Sequence, residues 1–356
     1  MANRIDEDWE TILAFLPEEW EKMAFETKAM RRARAFKTPE ALLRTLMIHL
    51  GQGCSLRETS VRAKRGDIAS VSDVAILKRL RTSELWLKYL AENLTIHPPL
   101  DVFDRLKSKY RICAVDATTV SEPGNTGTDW RLHYMLELPT LACEHFELTD
   151  CHGGESLKRY PVRKNDLILA DRGYESARGI EYVRNEGGHV AVRIRVSQCS
   201  LCDPDDAQID VLSLARSLNH SYACGEWPAV FNGQTAKKNI GRLCLLQKSD
   251  EAIEASQKKI MRTAMRKQRK ASPNALEAAK YIGIFTTVSK DDLSVEDVFR
   301  LYRYRWQIEI AFKRLKSISG FGHLPKYDAQ SCRAWIYGKL LIGLLAEKMA
   351  QAPFFP

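Results

Sequence analysis

Residues Tyr302 to Lys316 read YRYRWQIEIAFKRLK, and the polar members of this stretch recur at helical spacing. At about 100° per residue, Tyr302, Arg305, Glu309 and Lys316 fall within about 60° of arc on a helix. The apolar Ile308, Ile310, Phe312 and Leu315 point mostly elsewhere. One face therefore offers a carboxylate flanked by a phenol and two cations. A carboxylate holds a hard metal ion, and Arg and Lys clamp phosphate oxygens. The set suits phosphoryl transfer on a polyanion. The same spacing also fits a solvated helix face with i,i+3 and i,i+7 charges.

A site of this kind needs further carboxylates, best held on rigid elements. Two short apolar runs of β-compatible composition supply them. Arg111-Ile112-Cys113-Ala114-Val115 leads straight into Asp116-Ala117-Thr118-Thr119, and Leu167-Ile168-Leu169-Ala170 ends in Asp171-Arg172-Gly173-Tyr174. An Asp at the end of a buried strand faces the crevice where α/β folds bind ligands. The competing readings are a turn starting at Asp116 and a surface pair of Asp171 with Arg172.

With these three motifs the chain resembles the bacterial insertion-sequence DDE transposases of insertion-sequence family four, marked by Tyr-x2-Arg-x3-Glu-x6-Lys. Tyr302, Arg305, Glu309 and Lys316 match that spacing, and Asp116 and Asp171 match the two other acidic motifs. The resemblance runs from about residue 38 to 350. It implies a catalytic domain similar to ribonuclease H, a mixed sheet carrying both aspartates and a helix carrying the glutamate. Asp116, Asp171 and Glu309 would then be the catalytic residues and the ligands of two Mg²⁺ ions, with Mn²⁺ as a substitute, roughly 3.5–4 Å apart. Water would first nick the element's end, and the freed 3′-hydroxyl would then attack the opposite strand or target DNA. Arg305 and Lys316 would hold DNA phosphates, and Tyr302 would donate its hydroxyl to a phosphate or pack beneath the cut nucleotide. Relatives that form a DNA hairpin carry an aromatic residue 28 positions before the glutamate; here that position is Tyr281, a candidate for stacking on a base or for core packing. The partners implied are double-stranded DNA, both the terminal inverted repeats and the target, and a second copy of the chain on DNA. The alternatives are a related metal-dependent nuclease that cuts without joining, and a degenerate or repurposed transposase that only binds DNA.

Composition is compatible with this resemblance. The 356 residues leave room for two or three domains, and 54 Lys+Arg against 45 Asp+Glu give a net charge of +9, which suits a nucleic-acid partner. The N-terminus runs into charged residues rather than a secretory leader. The apolar stretch from Trp335 to Ala346 is interrupted by Lys339 and too short for a bilayer, so the chain is expected to be soluble and intracellular; the resemblance implies the bacterial cytoplasm, associated with the nucleoid. Nine cysteines, an odd number, argue against a secreted disulfide framework. Cys199-x2-Cys202, with Cys224 and Cys244, raises a weak zinc alternative to free thiols. No phosphate loop, dinucleotide fingerprint or HExxH pair occurs in the sequence.

The elements that must position these residues fall into an α/β chain with an N-terminal all-helical domain and a β-rich insertion. In residues 1–105, helices are predicted to begin at Thr38-Pro39, at Ser55-Leu56-Arg57-Glu58 and at Ser72-Asp73, on N-cap and capping-box signals. The third carries Lys78, Arg79 and Arg81, and the set suits a helix-turn-helix-like DNA-binding domain or a plain bundle with solvated cations. Residues 106–196 form the first part of the catalytic domain, with strand patterns at 130–137, 145–148 and 189–196. Residues 197–280 resemble the β-rich insertion that the family places between its second Asp and its Glu, with turn signals at Gly225-Glu226-Trp227-Pro228 and Asn232-Gly233. It ends in a basic helix, with seven cations from Lys258 to Lys270 able to track a DNA backbone or to be solvated. Residues 281–356 complete the catalytic domain with the Glu309 helix and an apolar helix, Leu340 to Leu345, expected to pack on the sheet.

Overall fold

Alternating apolar residues in the central strands divide the interior into two layers. Ile112, Ala114, Leu167 and Leu169 belong to one core cluster, and Cys113, Val115, Ile168 and Ala170 to the other, the period-2 pattern of strands covered on both faces. The computed structural model describes residues 9, 12, 13, 15–31, 35–94, 109–122, 128–231, 238–318, 320, 324, 325 and 328–351. Its strands are β1 (Arg111–Val120), β2 (Trp130–Glu137), β3 (Ala142–Asp150), β4 (Asp166–Ala170), β5 (His189–Ile194), β6 (Cys224–Phe231), β7 (Asn239–Gln247) and β8 (Tyr281–Thr286). They form one eight-stranded mixed sheet in the order β3-β2-β1-β4-β5-β8-β7-β6. β1, β4 and β5 run parallel and the remaining pairs are antiparallel. This is the expected mixed α/β architecture of a ribonuclease H-like sheet flanked by helices.

The register of β1 on β4 matters most for the site. Arg111 faces Asp166 across the pair, and its guanidinium grips that buried carboxylate through two bonds, Nε to Oδ1 at 2.8 Å and Nη2 to Oδ2 at 2.7 Å. A fork-on-carboxylate contact fixes geometry as well as adding energy. A one-residue slip would turn every side chain to the opposite face. The pairing ends at Val115 opposite Ala170, so the next residues, Asp116 and Asp171, sit side by side.

β1 is longer than its apolar run suggests. It continues to Val120 because β2 pairs with it antiparallel through Val120 opposite Trp130. Asp116 therefore lies within a strand rather than at its end, but just past the last residue that β4 covers. Gly225-Glu226-Trp227-Pro228, expected to turn, lies within β6. β6 is an edge strand, where a proline without an N–H is tolerated. The Asn232-Gly233 turn signal lies outside the described residues. β6 and β7 extend the main sheet, with β7 pairing β8.

The helices near the N-terminus are α1 (Trp20–Glu26), α2 (Pro39–Gln52), α3 (Leu56–Arg65), α4 (Asp73–Thr82) and α5 (Glu84–Glu92). Thr38, Ser55 and Ser72 cap α2, α3 and α4 by accepting the N–H of Ala41, Glu58 and Ala75, each worth about 1 kcal/mol. Gly53 ends α2 at φ +67°, the left-handed conformation glycine favours. Farther along are α6 (Ala177–Asn185), α7 (Val211–Arg216), α8 (Asp250–Arg266), α9 (Pro273–Ala278), α10 (Val295–Arg303), α11 (Trp306–Ile318) and α12 (Ala329–Gln351). The apolar helix α12 packs chiefly against α2, α4 and α5, with Tyr337 reaching Phe146 of β3. Its apolar residues run all round and bury Leu340, Leu341 and Leu344, so it joins the N-terminal helices to the sheet instead of simply covering the sheet.

Arg79 donates to Ala29 O at 3.1 Å, and Arg81 bonds Asp328 at 2.9 Å and Ser331 at 3.1 Å. Two of the three cations singled out on α4 are therefore engaged inside the chain, while Lys78 is exposed. Among the described residues no helix is long and apolar enough to cross a membrane.

Candidate active site

Asp116 follows Ile112 and Ala114 in the alternation of β1, and Asp171 follows Leu167 and Leu169 of β4. Those four residues share a core cluster with Ile308, Phe312 and Leu315 of α11, so both aspartates come up on the side of the sheet that α11 covers. α11 places Glu309 in its first turn, where the helix dipole favours a carboxylate.

Tyr302, Arg305 and Glu309 do not share one helix. Tyr302 is on α10, Arg305 lies in the turn that follows, and Glu309 is on α11. Between them the backbone tightens to i→i−3 bonds, Tyr304 N to Leu301 O at 3.0 Å and Arg305 N to Tyr302 O at 3.1 Å. Side-chain ties on either side accompany the break. The Tyr302 hydroxyl donates to Ala170 O at 3.1 Å, one residue before Asp171. The Arg305 guanidinium donates to Asp116 Oδ2 at 3.3 Å and to Glu309 Oε1 at 2.5 Å. Arg305 also lies over the Tyr302 ring, 5.8 Å from its centroid. Lys316 is exposed, seven residues beyond Glu309 and so roughly 10 Å along the helix axis.

Electrostatics follow from this crowding. Burial pushes the Asp116 carboxyl up to about 6, with Asp171 and Glu155 adding to the rise; the Ala117 N–H and Arg305 oppose it. Burial also pushes the Tyr302 phenol up to about 12, so it remains a neutral donor. Asp171 caps the short 3-10 turn Arg172–Tyr174 and accepts the Gly173 N–H at 2.7 Å.

Two features escaped the motif reading. The first is Glu155, brought beside Asp171 by the loop after β3. The second is a cavity of about 710 Å³ lined by Arg172, Arg193, Lys248, Lys259, Arg269 and Lys270. Burial pushes the Lys248 ammonium down to about 8, helped by Arg193 and Arg172. Burial lowers the Arg193 guanidinium as well. Tyr281 lines the same cavity, yet the residue is only 6% exposed and packs in the second core cluster. Lys259 sits on α8, the expected basic helix, but Arg269 and Lys270 lie past its end at Arg266. No sequence period marks Arg193, which comes from the β5 strand; it is the topology that carries it to α8.

Among the described residues no three His, Cys, Asp or Glu side chains already converge as a metal-binding group. The donor set nevertheless fits a hard cation. The carboxylates of Asp116 and Glu309 already share one positive group, the Arg305 guanidinium, and Asp171 stands beside Asp116 with one oxygen uncommitted to the Gly173 N–H. The cysteines weighed for zinc are dispersed in role: Cys224 donates to Glu296 at 3.5 Å, Cys244 is buried in β7, and Cys202 bridges Gln208 and Val230 through its backbone.

Known proteins resemble this chain over most of its length. Residues 107–345 match the family model of the transposase DDE domain, a domain that implies dependence on a divalent metal. The chain is 31% identical to the putative transposase InsL for insertion sequence element IS186A of Escherichia coli (strain K12), over 98% of this chain and 95% of that protein. It is 32% identical, with the same coverage of each, to the transposase for insertion sequence element IS421 of Escherichia coli. It is 23% identical, over 91% of this chain and 76% of its relative, to the transposase for insertion sequence element IS231F of Bacillus thuringiensis subsp. israelensis. This chain belongs to the DDE transposase family of insertion-sequence elements, enzymes that cut and join DNA.

Proposed function

We propose that this chain carries out cut-and-paste transposition with Asp116, Asp171 and Glu309 as its catalytic carboxylates. One observation carries the assignment: the register that ends at Val115 opposite Ala170 sets two aspartates side by side, and Arg305 ties the first of them to Glu309. The three residues are the ones to hold Mg²⁺, or Mn²⁺ in its place. What the metal pair supplies when bound is activation of the attacking oxygen and stabilisation of the leaving 3′-oxygen.

The chain's own groups do the rest. Arg305 releases the carboxylates and takes a DNA phosphate, a better partner for its planar fork once strand and metal compete for the site. Tyr302 braces the end of β4 through Ala170 O and thereby holds Asp171 in place. Lys316 contacts a phosphate farther along the strand. The cavity rimmed by Arg172, Arg193, Lys248 and Lys259 offers cations to the backbone of the same strand, and each neutralised phosphate adds salt dependence. Tyr281 borders that cavity, and stacking on an unpaired base would require it to leave the core.

The N-terminal region, 1–105, binds the inverted repeats of the element through exposed cations such as Arg57 and Lys64 of α3 and Lys78 of α4. Residues 106–196 and 281–356 make the catalytic domain, and 197–280 the insertion bearing the basic helix. Two copies of the chain pair the two ends and bring them to target DNA in the bacterial cytoplasm. The test is a set of single Ala variants at Asp116, Asp171 and Glu309, assayed for strand cleavage and for gel shift of an end duplex. Each should lose cleavage and keep the shift; cleavage surviving Glu309→Ala would remove Glu309 from the site.

A further inference from the structure

The loop between β3 and the short 3-10 turn Leu157–Arg159 is held on both sides. Arg131 donates to Gly153 O at 3.0 Å, and Arg159 donates to Gly154 O at 2.8 Å. Gly153 packs so closely that a Cβ there would lie 2.0 Å from Thr149 Oγ1. What this fixed loop presents next is Glu155. Its carboxylate rests on Gly173, where a Cβ would meet Glu155 Oε2 at 1.9 Å and Asp171 Oδ1 at 3.0 Å. The missing side chain of Gly173 is thus the space that lets the two carboxylates stand together.

We infer that Glu155 is a fourth carboxylate of the metal-binding set, acting on the Asp171 side of the pair of divalent cations. The inference rests on the Asp116–Asp171–Glu309 reading above. Two carboxylates held this close repel each other unless a cation joins them. Two divalent ions bring four positive charges against the three carboxylates, and Glu155 adds a fourth negative charge to the set. Arg305 already pairs with Asp116 and Glu309, whereas Glu155 stands beside Asp171.

The experiment titrates Mn²⁺ into the full chain without DNA and follows the free ion by electron paramagnetic resonance. The proteins compared are the natural chain, Glu155→Gln, Glu155→Asp, Gly173→Ala and Asp116→Ala, each first shown folded by its thermal melt. Glu155→Gln and Gly173→Ala should each weaken Mn²⁺ binding by about 10- to 100-fold, the range for groups that orient or complete a metal site. Glu155→Asp, which keeps the charge, should weaken it less. Unchanged affinity in Glu155→Gln, with binding lost in Asp116→Ala, overturns the role of Glu155 and leaves the three-carboxylate reading intact. Unchanged affinity in Asp116→Ala too, or no Mn²⁺ binding by the natural chain, overturns both.

Discussion

Replacing Arg305 by Ala should have opposite effects on metal binding and on catalysis. In the structure its side chain is only 12% exposed and bonds Asp116 and Glu309 at once. For both carboxylates to turn to a metal ion, at least one of these charge-assisted bonds has to break. A hydrogen bond to a charged group contributes about 1.5–3 kcal/mol, and about 1.4 kcal/mol is a factor of ten in affinity. Without DNA to receive the guanidinium, Arg305→Ala should therefore tighten Mn²⁺ binding by about 10- to 100-fold. At pH 8 Asp116 is ionised despite its upward shift to about 6, so proton release does not mask the gain. The same variant should slow strand cleavage by about 10- to 1000-fold, because a phosphate clamp is lost where charge develops. Calorimetric Mn²⁺ titration and a cleavage time course read the two effects separately. Mn²⁺ affinity that falls or stays level in Arg305→Ala would refute the idea that this guanidinium competes with the metal.

The same geometry gives three further outcomes. Asp116 keeps its proton up to about 6 in the folded chain, against an ordinary value of 3.8, so the native state binds more protons between these values and stability falls as pH rises through that window. Asp116→Asn should flatten this fall and melt above the natural chain at pH 7, as thermal scans from pH 4 to 7 would show. Removing Lys259 and Lys270 together from the basic cavity should lower the slope of log affinity against log salt by about 2, read from gel shifts at several salt concentrations. Tyr281→Ala should cost about 3–5 kcal/mol, as for a buried aromatic cut to Ala, whereas Tyr281→Phe should stay within about 1 kcal/mol because its hydroxyl makes only a 3.5 Å contact to Glu277. Denaturant melts check both.

Local chemistry was the readable part of this chain. Thr38, Ser55 and Ser72 announce helix starts through bonds to residues three positions on, so a short window contains all the information needed. The apolar run of β4 likewise ends where Asp171 begins. β1 was harder, because its continuation past Asp116 depends on β2, a partner that returns only at Trp130. The break after Tyr302 depends on ties to Ala170 and Asp116, more than 100 residues away, and no helical period could show it. Pro228 was misleading because proline signals a turn unless the strand is known to lie at an edge. Glu155 and Arg193 match none of the sequence motifs; a loop closure and a strand order bring them to the site. Gly153, two residues before Glu155, was the one visible hint, since a glycine can mark a backbone that approaches a neighbour closely, here Thr149.

Joining of DNA strands is the most direct test of the central claim. A supercoiled plasmid carrying the element's ends would be incubated with the protein and Mg²⁺, in parallel with Glu309→Ala. The account predicts metal-dependent 3′-hydroxyl ends that become joined to new DNA, with the variant giving neither cut nor joined product. Plasmid that is bound and shifted but never cut in the presence of Mg²⁺ would contradict it.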